Sequence, residues 1–234
     1  MEDRLIESES ILQAILYKEN ELFKRKERET VLNKKEASNQ IYYIEQSRMM
    51  ADGRIHGKDH HPFKHGDAVA KLTYRLCTEL GIKGIERILI TYAAMVHDIG
   101  KLDENIPYEL LNKKGKLTPG ERRIIQLHPI YSMEMIYYPE KEDVKKEMFT
   151  YIAEISLFHH ERYDGKGYPC NLVGKEIPLG SRIIAITDVS KALTHDRPYR
   201  KAYSQEEALN IMKDDKGHFD PGVLKTFMEM PKNL

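Results

Sequence analysis

A histidine followed directly by an aspartate, His97-Asp98, sits at the polar end of an apolar run from Ile88-Leu89-Ile90 to Met95-Val96. The run reads as a buried helix, Ile85 to Ile99, that carries two candidate metal ligands out of a core. An imidazole offers one neutral nitrogen, and a carboxylate offers two oxygens that can bridge two cations. Lys101 follows His97 by four residues and Asp98 by three, which on a helix places it on their side. Were the helix to fray at Gly100, the long lysine stem would still reach in.

His65, His128, His159, His160 and Asp188 each close or interrupt another apolar helical pattern. With His97 and Asp98 they come from five separate segments, as a metal pocket in a helical bundle requires. The blander reading is a set of core histidines bonded to backbone; all of them falling at such positions favours the pocket. Mixed nitrogen and oxygen ligands suit iron, manganese, zinc or nickel rather than magnesium or calcium alone. The set exceeds what one ion takes. Two ions bridged by Asp98, about 3.5–4 Å apart, would use it. Such a pair acidifies a bridging water to hydroxide and neutralises phosphate oxygens, which is the chemistry of phosphodiester hydrolysis by in-line attack. Asp98 and Lys101 are then the candidate catalytic residues, with Lys101 neutralising a non-bridging oxygen or assisting the leaving group.

Helices must position these side chains. Residues 1 to about 50 lack glycine and proline, and Ile6, Ile11, Leu12, Ile15, Leu16, Leu22 and Phe23 form an approximate helical stripe. The sequence divides into an N-terminal helical extension, residues 1–55, and a domain over 56–234. The extension reads as a packing helix or as a dimerising or signal-input helix; its heptads are irregular. Pro62 suits the first turn of a helix that runs past Val69, Leu72 and Leu76 to Gly81. Thr118-Pro119-Gly120-Glu121 and Ser204-Gln205-Glu206-Glu207 are helix starts of capping-box type, and Asp220-Pro221 starts the last helix. Asp143 opens a helix ending at His159-His160, and Ser181 to Leu193 forms another. No alternating segment appears, so the expected class is all-α, a multi-helix bundle.

The 234 residues suit one large domain or one domain with an appendage. The formal charge is +0, so no global basic field points to duplex nucleic acid or an anionic membrane, and an anionic ligand needs a local cluster. Cys77 and Cys170 make no disulfide framework, and Cys77 reads as core packing in a reducing compartment. The charged start, Met1 to Glu7, precedes no signal-type apolar block, and no run is long enough to span a bilayer. A cytoplasmic protein is the expectation.

His97-Asp98 with Gly100-Lys101 resembles the signature of the HD metal-dependent phosphohydrolases. His159-His160-Glu161-Arg162-Tyr163-Asp164-Gly165-Lys166-Gly167-Tyr168-Pro169 matches the HHExxDGxGYP signature of the HD-GYP subfamily at every fixed position. The likeness runs from about His61 to Met230 and includes Arg197-Pro198-Tyr199-Arg200 and Gly217-His218-Phe219-Asp220-Pro221. It implies an HD-type helical bundle acting as a bacterial cyclic di-GMP phosphodiesterase. It also implies a bi- or trinuclear centre, often iron or manganese, with linear pGpG or GMP as the product. By position it implies His65, His97, Asp98, His128, His159, His160 and Asp188 as metal ligands, and Lys101 as a substrate-phosphate or catalytic partner. Tyr168 either supports the pocket or stacks a base. Arg197 and Arg200 read either as phosphate forks or as an ordinary surface pair, with phosphate binding favoured for one of them.

The sequence departs from the family at three places. His61 stands where some members place a glutamate for a third metal, so a third ion is open. Gly66-Asp67-Ala68 replaces a more usual serine or threonine and arginine. Lys191 stands where an aspartate usually recurs after Asp188. His56, His60, His195 and His218 receive no role. Two other readings remain beside the cyclic di-GMP enzyme: a catalytically weak nucleotide-binding signalling module, and a phosphohydrolase of another cyclic dinucleotide. The intact ligand set favours catalysis.

Overall fold

The computed structural model describes residues 62–136, 145–196 and 200–231. The expectations for the 1–55 extension, for His56, His60 and His61, for a helix start at Asp143 and for Arg197 fall outside them. In chain order the elements are α1 (Pro62–Glu79), α2 (Gly84–Val96), a 3-10 turn (Ile99–Leu102), α3 (Tyr108–Leu111), α4 (Pro119–Ile125) and α5 (His128–Ile136). Then come α6 (Lys145–Leu157), a 3-10 turn (Gly174–Glu176), α7 (Leu179–Thr194), α8 (Gln205–Asp214) and α9 (Pro221–Glu229). Among the described residues no strand forms; one isolated bridge pairs Asp164 with Val173. The all-α expectation holds.

The expected starts are built as their chemistry requires. The Thr118 hydroxyl accepts from the Glu121 N–H while the Glu121 carboxylate accepts from the Thr118 N–H, a closed capping box. Ser204 and Glu207 repeat it at α8. Asp220 caps α9 by accepting from the Gly222 and Val223 N–H groups, and its other oxygen pairs with Arg182 of α7.

The core lies where α1, α2, α6 and α7 meet. Val69, Leu76, Ile90, Ala93, Ile152, Ile155, Ile183 and Ile186 are buried there in one cluster. Each fully buried isoleucine or leucine contributes about 1.5–3 kcal/mol, so this cluster holds the helices that carry the site. Cys77 belongs to it, and burial pushes its thiol up to about 12, in keeping with a packing role.

Two expectations about helix ends are corrected. The helix expected over Ile85 to Ile99 ends at Val96, and His97 and Asp98 form the turn after it. Gly100 lies so close to α5 that a Cβ would collide with the His128 carbonyl and the Ser132 nitrogen, and a straight continuation of α2 does not allow that approach. Asp188 interrupts nothing. It sits inside α7, and His128 opens α5 rather than closing the preceding helix.

Candidate metal centre

The turn after α2 is held by one hydroxyl. Ser132 of α5 donates to the His97 carbonyl at 2.7 Å and accepts from the Gly100 N–H at 2.9 Å. A helix end leaves carbonyls unpaired, and Ser132 satisfies one of them while docking α5. The 3-10 turn then brings Lys101 Nζ to 2.6 Å from Asp98 Oδ2. Lys101 meets Asp98 through this tighter turn, not along an α-helix face.

Three imidazoles are oriented by the same device. Nδ1 of His97, His128 and His159 lies 2.8, 2.7 and 2.5 Å from the carbonyl three residues earlier, of Ala94, Ile125 and Ser156. A carbonyl only accepts, so each ring carries its proton on Nδ1 and presents the Nε2 lone pair inward. Asp98 receives them on both sides. Its Oδ1 lies 3.1 Å from His128 Nε2 and 3.8 Å from His159 Nε2; its Oδ2 lies 3.5 Å from His97 Nε2. His128 Nε2 and His159 Nε2 are themselves 3.4 Å apart. Lone pairs thus converge on a carboxylate oxygen. Asp98 Oδ1 and His97 Nε2 are buried without any hydrogen-bond partner. Such an arrangement suits a cation held between the donors.

Donor atoms fall into two groups that share Asp98: Asp98, His128, His159 and His160, and His65, His97 and Asp98. Asp188 borders the second, with Oδ1 2.7 Å from His65 Nε2 and 3.7 Å from His97 Nε2. The electrostatics suit ligands. Burial alone would raise the Asp98 carboxyl, but Lys101, His97 and His128 hold it well below the usual carboxylate range. Burial likewise opposes ionisation of Asp188, and His65 and His97 outweigh it. Burial, then neighbouring cations and imidazoles, lowers His128, His159 and His160, the last to about 3. These rings are neutral at pH 7, as ligation requires. His97 is raised, because Asp98 and Asp188 overcome its burial.

The geometry is that of a donor cage around a shared carboxylate, and a family model described as HD domain matches residues 54–223. The chain belongs to the HD domain family. This HD domain is 35% identical over 176 residues to a Pseudomonas aeruginosa protein named cyclic di-GMP phosphodiesterase, an alignment covering 75% of this chain and 41% of that one. It is 38% identical over 170 residues to a Vibrio cholerae protein named 3'3'-cGAMP-specific phosphodiesterase 1, covering 71% of this chain and 37% of that one. The chain therefore spans less than half the length of these relatives. Among solved structures, the HDG"Y"P protein of Bdellovibrio bacteriovorus superposes with a TM-score of 0.58 at 20% identity, covering 82% of this chain and 60% of that one, which places the fold.

Every expected ligand of the HD domain is thus brought to one place. Tyr168 joins them, its ring stacked on His160 with centroids 4.8 Å apart. Arg200 is not directed at the cluster by its bonds: its guanidinium donates to the carbonyls of Ala192, Leu193 and Lys201 and lies over the Tyr203 ring. It caps the C-terminus of α7, where a cation offsets the helix dipole, and the geometry supports the surface reading of Arg200 over the phosphate fork. Lys191 is half-buried, and burial together with Arg75 and Lys71 lowers its ammonium. Gly66 is explained by packing, since a Cβ would collide with the Met95 carbonyl at the end of α2.

Ser132 and Glu161 are working residues the sequence reading left without a role. Glu161, 2% exposed, accepts from the Cys170 N–H at 2.6 Å and the Leu172 N–H at 3.0 Å, closing the loop that carries Tyr168. A glutamate beside the histidine pair and ahead of a glycine-rich loop was the available signal for it. Ser132 had none, because its partners lie 32 and 35 residues away. No helix of the described residues is long and apolar enough to cross a membrane.

Proposed function

We propose that this protein is a metal-dependent phosphodiesterase that hydrolyses cyclic di-GMP to pGpG, GMP or both. The observation that carries the reading is the convergence of His128 Nε2, His159 Nε2 and Asp98 Oδ1, three acceptors within 3.1 to 3.8 Å of one another. His65, His97, Asp98 and Asp188 would hold one divalent ion, and Asp98, His128, His159 and His160 the other. The donor set suits iron or manganese first, then zinc or nickel. Such ions neutralise phosphate oxygens and lower the pKa of water. Lys101 keeps Asp98 ionised and sets an ammonium at the edge of the cage, where it meets a phosphate oxygen. Tyr168 borders the same space, and Arg197 is the remaining candidate fork for a phosphate.

A second reading is favoured by a specific finding: relatives at similar identity are named for 3'3'-cGAMP. Both substrates present two phosphodiesters and purine bases to the same cage. The test is to measure bound metal in the purified chain, then compare turnover of cyclic di-GMP and 3'3'-cGAMP with Mn2+, Fe2+ and Mg2+. Faster cyclic di-GMP cleavage supports the first reading, and faster cGAMP cleavage replaces it with the second. Tight nucleotide binding without product under every metal makes the protein a signalling module instead.

A further inference from the structure

His160 differs from the other buried imidazoles in how it is held. His97, His128 and His159 each bond a backbone carbonyl through Nδ1. Among the described residues His160 makes no such bond. Its ring is held instead among other rings: Tyr168 stacks on it at an interplanar angle of 25°, and the His159 and His128 rings lie beside it with centroids 4.1 and 5.0 Å away. The Tyr168 N–H returns to the His160 carbonyl at 3.2 Å, so the two residues are tied by backbone as well as by rings. Whatever fixes the loop from Glu161 to Val173 therefore fixes one of the rings that hold this side chain.

The loop is fixed from the far end of the chain. The Tyr163 N–H donates to the His218 carbonyl at 2.9 Å, and the Asp164 N–H to the Gly217 carbonyl at 2.8 Å. The Arg162 guanidinium lies between two carboxylates, 3.1 Å from Asp164 Oδ1 and 3.1 Å from Asp215 Oδ1. Asp215 Oδ2 in turn lies 2.7 Å from His218 Nδ1, and the His218 ring stacks flat on Phe219, which is in the core. A continuous series of contacts runs from the α8–α9 turn through Arg162 and the loop to Tyr168 and His160.

We propose that Asp215 and His218 are positioning residues for the metal ligand His160, acting through Arg162 and the loop that carries Tyr168. The inference rests on the reading of the cage as a two-metal site. A partner that only orients a ligand commonly costs 10- to 100-fold in metal affinity when removed, so about that loss is expected at one ion. The other ion, held on the His65, His97 and Asp188 side, keeps its affinity.

The full chain, stripped of metal, is titrated with Mn2+ alone by calorimetry. Wild type is expected to bind two ions. Asp215→Ala and Tyr168→Leu each weaken one of them about 10-fold or more, and Tyr168→Phe, which keeps the ring, binds as wild type. Two unchanged affinities in folded Asp215→Ala overturn the inference while leaving the metal reading intact. Should Asp215→Ala not fold, Asp215→Asn is titrated in its place, and two unchanged affinities there overturn it equally. A wild-type chain that binds no Mn2+ takes down the metal reading and this inference with it.

Discussion

Lys101 Nζ lies 2.6 Å from Asp98 Oδ2, while the other oxygen of the same carboxylate faces His128 Nε2 at 3.1 Å. One carboxylate is thus shared between an ammonium at the edge of the cage and the imidazoles inside it. The ammonium is partly open to solvent, 27% exposed, and Asp98 is nearly closed off. An ammonium at the edge of the cage thus helps to hold a buried acid ionised, together with the His97 and His128 rings inside it.

Replacing Lys101 by methionine removes the ammonium and keeps the stem. Turnover should fall about 10²–10³-fold, the range for losing one preorganised charge beside a reacting group. Helical circular dichroism should be retained. Turnover at the wild-type rate would remove Lys101 from the proposed chemistry.

Asp98→Asn keeps the shape of the side chain and takes away the shared negative charge. Metal content should drop and turnover should fall by at least about 100-fold, since even an outer partner of a ligand costs up to that much. Elemental measurement on the purified variant, paired with a rate assay, checks both. Wild-type metal content would contradict a bridging role.

Ser132→Ala leaves the His97 carbonyl and the Gly100 N–H without their partner in a buried place. The expected loss is about 1–3 kcal/mol in urea unfolding, because an unsatisfied buried group forfeits its solvation. Gly100→Ala should cost at least as much, since its Cβ would press on backbone atoms of α5 that have nowhere to go. Unfolding midpoints matching wild type would show that the α2–α5 contact yields more easily than its geometry implies.

The metal-stripped protein should lose stability as pH falls. Burial and neighbouring groups hold His128, His159 and His160 below their ordinary 6.5, His160 at about 3. Below about pH 6.5 the unfolded chain therefore binds more protons than the folded one, and stability rises with pH across that window. Asp98 and Asp188, held well below 3.8, add a further loss once pH falls through their unfolded value. His97 has the opposite sign: raised in the fold, it stabilises below 6.5 and its contribution disappears as pH rises through its folded value. Melting temperatures should decline from about pH 6.5 towards 4, and a flat profile there would contradict the balance.

Residue types and helix boundaries with local causes were legible without coordinates. The Thr118 and Ser204 caps, the start at Asp220 and the apolar stripe of α2 depend on neighbours within four residues, so a linear reading reaches them. The residues that converge were legible because histidines and acids recur at the polar margins of apolar helices. Arg200 shows where that reading stopped. Its charge suggested a phosphate, whereas its donors go to the carbonyl ends of the helix that precedes it.

Chain chemistry alone pointed to an all-helical bundle, the motif resemblance pointed to the HD family, and residue types named the side chains that converge. Only tertiary structure decided which oxygen of Asp98 faces which imidazole, that α2 ends at Val96, three residues before Ile99, with Ser132 holding the turn, and that Tyr168 stacks on His160. The Ser132 and His128 contacts join segments 30 to 35 residues apart, and the Tyr168 stack spans a loop. Packing and buried hydrogen bonds select them, and no spacing along the chain encodes either.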